Sequence, residues 1–313
     1  MPRAQTDRSN TFPAREPAEP VQSREVRRVT WIGLVVNLAL TAFKFAAGIV
    51  GHSGAVVADA VHSLSDMFTD AVILVGSRYW DRPADPGHPH GHRRLETLIT
   101  LLVGATLAAV AVGMVWEAIA SLREHDEEPP RRIAFAAAAA SIVVKEWLYR
   151  WTVAAGHRLR SMPVVANAWH HRSDALSSIP AAAAVAVASL WPPLAYIDHV
   201  GVVAVSAIIL HAAWRITWPA VQQLMDASAP ETEVSAVRAS ALSTPGVQSI
   251  HKVRTRYVGG SQLAVDLHIQ VDGRLSVREG HDISTQVRDR VIWQNPGVND
   301  VVVHLEPTED RAP

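Results

Sequence analysis

The chain has 313 residues, 49% of them hydrophobic, and a formal net charge of −1. That length accommodates two domains, and the near-neutral balance gives no support for nucleic-acid binding. Its 15 histidines stand beside no cysteine, so disulfides and thiolate metal sites are excluded, and any metal must be held by His, Asp and Glu.

Residues 1–25 read as a disordered tail: Met1 to about Ser23 is rich in Pro, Arg and Glu and has no apolar core. No charged segment followed by a short apolar run and a cleavage site occurs there, so no signal peptide is expected. Six apolar segments then follow, at about Val29–Val50, Ala55–Trp80, Thr97–Leu122, Ile133–Ala155, Val164–Leu190 and Ile197–Trp218. Each is long enough for a helix to cross a hydrocarbon core of about 30 Å, which predicts a six-helix transmembrane domain over residues 26–220. The fourth segment is Ala-rich and contains Lys145 and Glu146, which blurs its inner boundary. Trp191, Pro192 and Pro193 break the chain before the sixth.

Lys and Arg in short loops set orientation. Arg24, Arg27 and Arg28 precede the first segment; Arg82, Arg93 and Arg94 follow the second, with Arg78 at its end; Arg158 and Arg160 follow the fourth. These three regions are expected in the cytoplasm, with both termini inside. The loop after the third segment is mixed, with Arg123, Arg131 and Arg132 against Glu124, Asp126, Glu127 and Glu128.

Residues 221–307 read as a soluble α+β domain, with a short tail at 308–313. Glu231–Leu242 has a helical pattern with acidic residues in its first turn. Ser249–Val258 and Gln262–Val271 are strand candidates joined at Gly259–Gly260, and Leu263, Val265, Leu267, Ile269 and Val271 share one face of the second. Ser276–Trp293 fits a second helix and Val298–Leu305 a third strand. The order α-β-β-α-β is compatible with a ferredoxin-like open sandwich.

Three clusters carry chemistry. In the second segment Asp59, His62, Asp66 and Asp70 share a helix face, and in the fifth His170 and Asp174 repeat the four-residue spacing. Ionisable groups inside a membrane span face a partner, a cavity or an ion path. His62, Asp66, His170 and Asp174 supply two imidazoles and two carboxylates, a tetrahedral donor set whose charge cancels a divalent ion. Polar pairing between helices explains one such pair more readily than two. Asp59 and Asp70 lie a turn or more away; either fits an access path, and Asp70 equally fits a solvated position near the cytoplasmic end. The second cluster is the loop Pro83–Glu96, with Asp85, His88, His90 and His92. The third is dispersed through the soluble domain: His251, His268, His281, His304 and Glu306, the last two on one face of a strand.

These motifs resemble the cation diffusion facilitators, a family of divalent-metal/proton antiporters. The likeness rests on Asn37 and Lys44, on ADAVHSLSD, HPHGHRRLE, NAWHHRSD and LMDASAP, and on HKVRTR with VVVHLEP. It covers nearly everything after the tail. The resemblance implies a homodimer and a cytoplasmic domain of metallochaperone-like fold. It implies a transport site at His62, Asp66, His170 and Asp174, His at the first position being similar to the zinc-preferring branch. It further implies a loop site at Asp85, His88 and His92, with His90 as an extra candidate. A soluble-domain site falls at His251, His268, His281 and His304, with Glu306 where Asp is frequent. Arg94 and Asp226 take the places of a basic–acidic pair.

The expected function is secondary active export of divalent metal, Zn2+ first, from the cytoplasm across the inner (plasma) membrane. Cd2+, Co2+, Ni2+, Fe2+ and Mn2+ are also tolerated by such donors. Metal binding needs neutral His and ionised Asp, so metal and protons compete for the same atoms, and alternating access would exchange them. No phosphate-binding loop suggests ATP, and no substrate pocket suggests an enzyme. Metal bridging in the soluble domain would regulate the cycle. A membrane-bound metal sensor or scaffold is the alternative, although a sensor needs no donor set at mid-bilayer.

Overall fold

The apolar runs fold as α-helices, the fifth as two in succession, since a helix satisfies its backbone polar groups internally where lipid offers no partner. The computed structural model describes residues 20–124, 129–159 and 161–308. Its first seven helices are α1 (Pro20–Val50), α2 (Gly54–Trp80), α3 (Arg94–Glu124), α4 (Arg132–Arg158), α5 (Met162–Ser177), α6 (Ile179–Leu190) and α7 (Ile197–Leu224). The expected tail lies mostly outside the described residues, although α1 already begins at Pro20.

Among the described residues four stretches are both long and apolar enough to cross a bilayer: Glu25–Val50, Arg94–Arg123, Val164–Leu190 and Pro192–Leu224. The other two expected spans, α2 and α4, are 27-residue helices, about 40 Å long at 1.5 Å per residue. They have the length, but ionisable side chains run through their middles. The fifth expected span is not one uninterrupted helix. It breaks at Ser178 into α5 and α6, where Pro180 enters the new first turn. Proline has no N–H to continue the ladder, and its ring crowds the preceding turn.

One compact unit contains α1, α2 as far as Ser63, α4, α5 and α6. Small residues let its helices approach closely, as membrane packing requires. Ala134, Ala137 and Ala138 of α4 are completely buried, and Val56, Ala134, Ala138, Ala182 and Val185 form one cluster. A Cβ on Gly51 would fall 2.7 Å from the Ala134 Cβ, while the Gly51 carbonyl accepts from the Arg131 amide at 2.8 Å.

The second unit contains the rest of α2, α3, most of α7 and the soluble domain. Thr97 Oγ1 of α3 donates to Gln223 Oε1 of α7 at 3.0 Å. Helix α7 ends in a Schellman turn: the Asp226 amide bonds to the Gln223 carbonyl and the Ala227 amide to that of Gln222. Asp226 takes the left-handed position, with φ 53°.

The soluble domain follows the expected order, with α8 (Glu231–Leu242), β1 (Ser249–Gly259), β2 (Gln262–Val271), α9 (Val277–Gln294) and β3 (Val298–Pro307). The sheet order is β1-β2-β3, with β1 antiparallel and β3 parallel to β2. Leu263, Val265, Leu267, Ile269 and Val271 of β2 pack with Val234 and Val237 of α8 and Val287 and Val291 of α9. Both helices therefore cover one face, and the alternate residues of β2, including His268, lie on the other. Ser276 and Glu279 form a reciprocal capping box at the start of α9.

Candidate metal centres

The deepest polar cluster is built on α1, α2, α4 and α5. Asp174 is 8% exposed, with Oδ1 3.8 Å from His170 Nδ1 and Oδ2 3.7 Å from Lys145 Nζ. Lys145 Nζ also donates to Ser63 Oγ at 3.3 Å, beside the buried His62. Ser63 is shared with Lys44, whose Nζ donates to it at 2.6 Å and to Asp59 Oδ2 at 2.9 Å. Ser178, at the α5–α6 break, donates to Asp59 Oδ1 at 2.7 Å. Both Asp59 oxygens are thus engaged, one by the Lys44 ammonium and the other by the Ser178 hydroxyl. Asp66 stands one turn beyond His62 on α2 and is half-buried. The Asp70 side chain lies outside the described residues.

His171 is buried beside His170. The side-chain amide nitrogens of Asn37 and Asn167 stand 3.2 Å from its Nδ1 and 3.3 Å from its Nε2. A neutral imidazole offers one donor and one acceptor. Asn37 Oδ1 has no hydrogen-bond partner as placed; with this amide turned over, it accepts from Nδ1–H while Nε2 accepts from Asn167. That arrangement fixes the ring next to a candidate ligand.

In the loop after α2, Asp85 gathers two imidazoles. His88 Nδ1 is 3.2 Å from Asp85 Oδ1 and His92 Nε2 is 3.3 Å from Oδ2, and these three groups are spaced for one ion. The backbone amides of His88 and Gly87 donate to Asp85 Oδ1 at 2.7 and 2.9 Å. The His88 amide foremost holds this carboxyl below its ordinary value. His90 lies apart from the group and lines a cavity of about 710 Å³ with Arg82, Arg93 and Arg256.

In the soluble domain the strand register does the gathering. His251 pairs with His268 across β1–β2, and His268 with His304 across β2–β3. Glu306, two residues further on β3, places Oε2 3.0 Å from His251 Nε2 and Oε1 2.7 Å from His268 Nδ1. His304 Nε2 is 3.6 Å from Glu306 Oε1. His251, His268 and Glu306 meet metal-ligand spacing. The His268 hydrogen bond chiefly holds Glu306 below its ordinary value. His281 does not join them: it is exposed on α9, the helix layer on the opposite side of the sheet.

Arg94 Nη2 and Asp226 Oδ1 are 3.0 Å apart, so the Schellman turn presents the carboxylate to the start of α3. Sequence reasoning passes over the contacts of Lys145, Ser63 and Ser178 in this buried cluster. A lysine inside an apolar, Ala-rich helix is itself the signal, since it must find an anionic partner.

Helices long and apolar enough to span a bilayer, an α+β domain and, among the described residues, two His/carboxylate groups at metal-ligand spacing are the features of a membrane protein with candidate metal sites. Comparison with known proteins agrees along most of the chain. Residues 30–225 match the family description "Cation efflux transmembrane domain" and residues 229–308 "Cation efflux protein, cytoplasmic domain". Metal tolerance protein C1 of Arabidopsis thaliana is 33% identical over 90% of this chain, which spans 63% of that protein's length. Manganese efflux system protein MneP of Bacillus subtilis is 31% identical, over 90% of this chain and 96% of its own. Magnetosome protein MamB of Magnetospirillum gryphiswaldense is 28% identical, over 89% and 93%. The chain belongs to the cation diffusion facilitator family of metal transporters.

Proposed function

We propose that this protein exports a divalent cation, Zn2+ first, from the cytoplasm in exchange for protons, by alternating access in a homodimer of the inner (plasma) membrane. Both termini are cytoplasmic in this reading, and the protein catalyses no covalent chemistry. His62, Asp66, His170 and Asp174 are the proposed transport ligands. Asp85, His88 and His92 form a proposed loop site. His251, His268 and Glu306, with His304 adjacent, form a proposed regulatory site, and His281 stands apart from it. The four domain ranges expected from sequence, 1–25, 26–220, 221–307 and 308–313, are retained in this proposal.

The observation that carries the reading is Asp174, a buried carboxylate in a spanning segment with an imidazole at one oxygen and an ammonium at the other. Such a group is costly in a membrane unless its charge is used. Protons and metal would compete for Asp174 and its neighbours, which couples their movements. Two imidazoles favour zinc over manganese, whose preferred donors are carboxylate, carbonyl and water; manganese is the ion in MneP's name. The test is flux in proteoliposomes with a metal panel and an imposed pH gradient. Zn2+ flux driven by protons is expected in the wild type and its loss in Asp66→Ala. Retained flux in that variant refutes the site, and binding without flux in the wild type returns the sensor reading.

A further inference from the structure

Lysine stands at only three positions, 44, 145 and 252, although Lys and Arg together number 29. Two of the three are buried within the transmembrane helices: Lys44 is 0% and Lys145 2% exposed. The two are not equivalent. Lys44 has its own carboxylate, Asp59, in direct hydrogen bond at 2.9 Å. Lys145 meets Asp174 at 3.7 Å, a looser contact, and has a second acceptor in Ser63 Oγ at 3.3 Å.

We infer that Lys145 is a tethered stand-in for the cargo: its ammonium holds Asp174 when no metal is bound and is displaced by the arriving ion, so it sets the affinity of the transport site. This rests on the transport-site reading above. Lys44, Lys145, Asp59 and Asp174 balance in charge. A divalent ion on Asp174 would place like charge within a few ångströms of Lys145 Nζ, where the interior screens poorly. The ammonium must then leave the carboxylate, and Ser63 on α2 is already within its reach. Displacement weakens metal binding, and the return of the ammonium to Asp174 assists release. A transporter needs both, since cargo must bind well enough to enter and weakly enough to leave. Lys145 is therefore a positioning residue that acts through Asp174.

The test compares wild type, Lys145→Met, Lys145→Arg and Asp66→Ala in proteoliposomes at one fixed pH, measuring KM and kcat for Zn2+. Lys145→Met is expected to lower KM about tenfold and to lower kcat, because metal leaves more slowly; Lys145→Arg keeps KM near that of the wild type. A purely structural role would depress kcat without tightening KM. Unchanged or raised KM in Lys145→Met, or equal tightening in Lys145→Arg, overturns the inference. Should Lys145→Met not fold, wild-type protein labelled with 15N-lysine provides three side-chain signals. The one absent from Lys145→Arg must move on Zn2+ addition, and must stay still in Asp66→Ala; a signal that ignores Zn2+ in the wild type overturns the inference. Flux retained in Asp66→Ala would instead refute the transport-site reading itself.

Discussion

Lys44→Met deletes a charge while keeping most of the stem's volume, and isolates the structural half of the buried network. The three Nζ protons of Lys44 have three acceptors: Asp59 Oδ2 at 2.9 Å, the Asp59 carbonyl at 3.1 Å and Ser63 Oγ at 2.6 Å. Both Lys44 and Asp59 are 0% exposed. After the substitution Asp59 keeps only the Ser178 hydroxyl and becomes a buried charge without a counter-ion, which costs about 3–5 kcal/mol. At about 2–4 °C per kcal/mol for a domain of this size, Tm should fall by roughly 10 °C. The double variant Lys44→Met/Asp59→Asn orphans no charge and should recover more than half of that loss. Thermal unfolding of the purified protein in detergent, followed by size-exclusion recovery, measures the wild type, the singles Lys44→Met and Asp59→Asn, and the double variant. A single variant costing under about 1 kcal/mol, or a double variant as damaged as the sum of its singles, would refute the claim that this pair is a mutually dependent buried unit.

Glu306→Gln should destabilise the soluble domain at neutral pH and become equal to wild type in acid. The folded carboxyl lies below its ordinary 4.5 chiefly because His268 donates to it. Its contribution is thus present above 4.5 and lost as pH falls through the lower folded value. Melting curves of both proteins from pH 7 down to pH 3 check this, and a gap that persists at the acid end contradicts it. Ser276→Ala removes the hydroxyl that accepts from the Glu279 amide at 3.3 Å and should cost about 1 kcal/mol. Chemical denaturation with Ser276→Gly as control, expected to lose only a few tenths, reads it.

Much of the soluble domain is legible in the sequence because its signals are local. Alternation over Leu263–Val271 reports a strand with one buried face, and Ser276 three residues before Glu279 reports a helix start. The fifth span shows the limit of such reading. Its hydropathy runs unbroken across Ser178, yet the helix is interrupted there, and the Ser178 hydroxyl donates to Asp59. Lys145 softens a boundary when seen in one dimension and becomes a partner of Asp174 when α4 and α5 pack together.

By itself the sequence determines the residue types and their helical or strand spacing: His62 with Asp66, His170 with Asp174, His304 with Glu306. Those follow from backbone periodicity, a property of each element alone. Only the tertiary structure decides which side chains meet across elements. It places His251, His268 and Glu306 on the open face of the sheet and leaves His281 on the helix layer, because covering one face with α8 and α9 is a choice of core packing. It gives Asp59 to Lys44 and Asp174 to Lys145, because a buried charge takes its partner from whichever helix packs beside it.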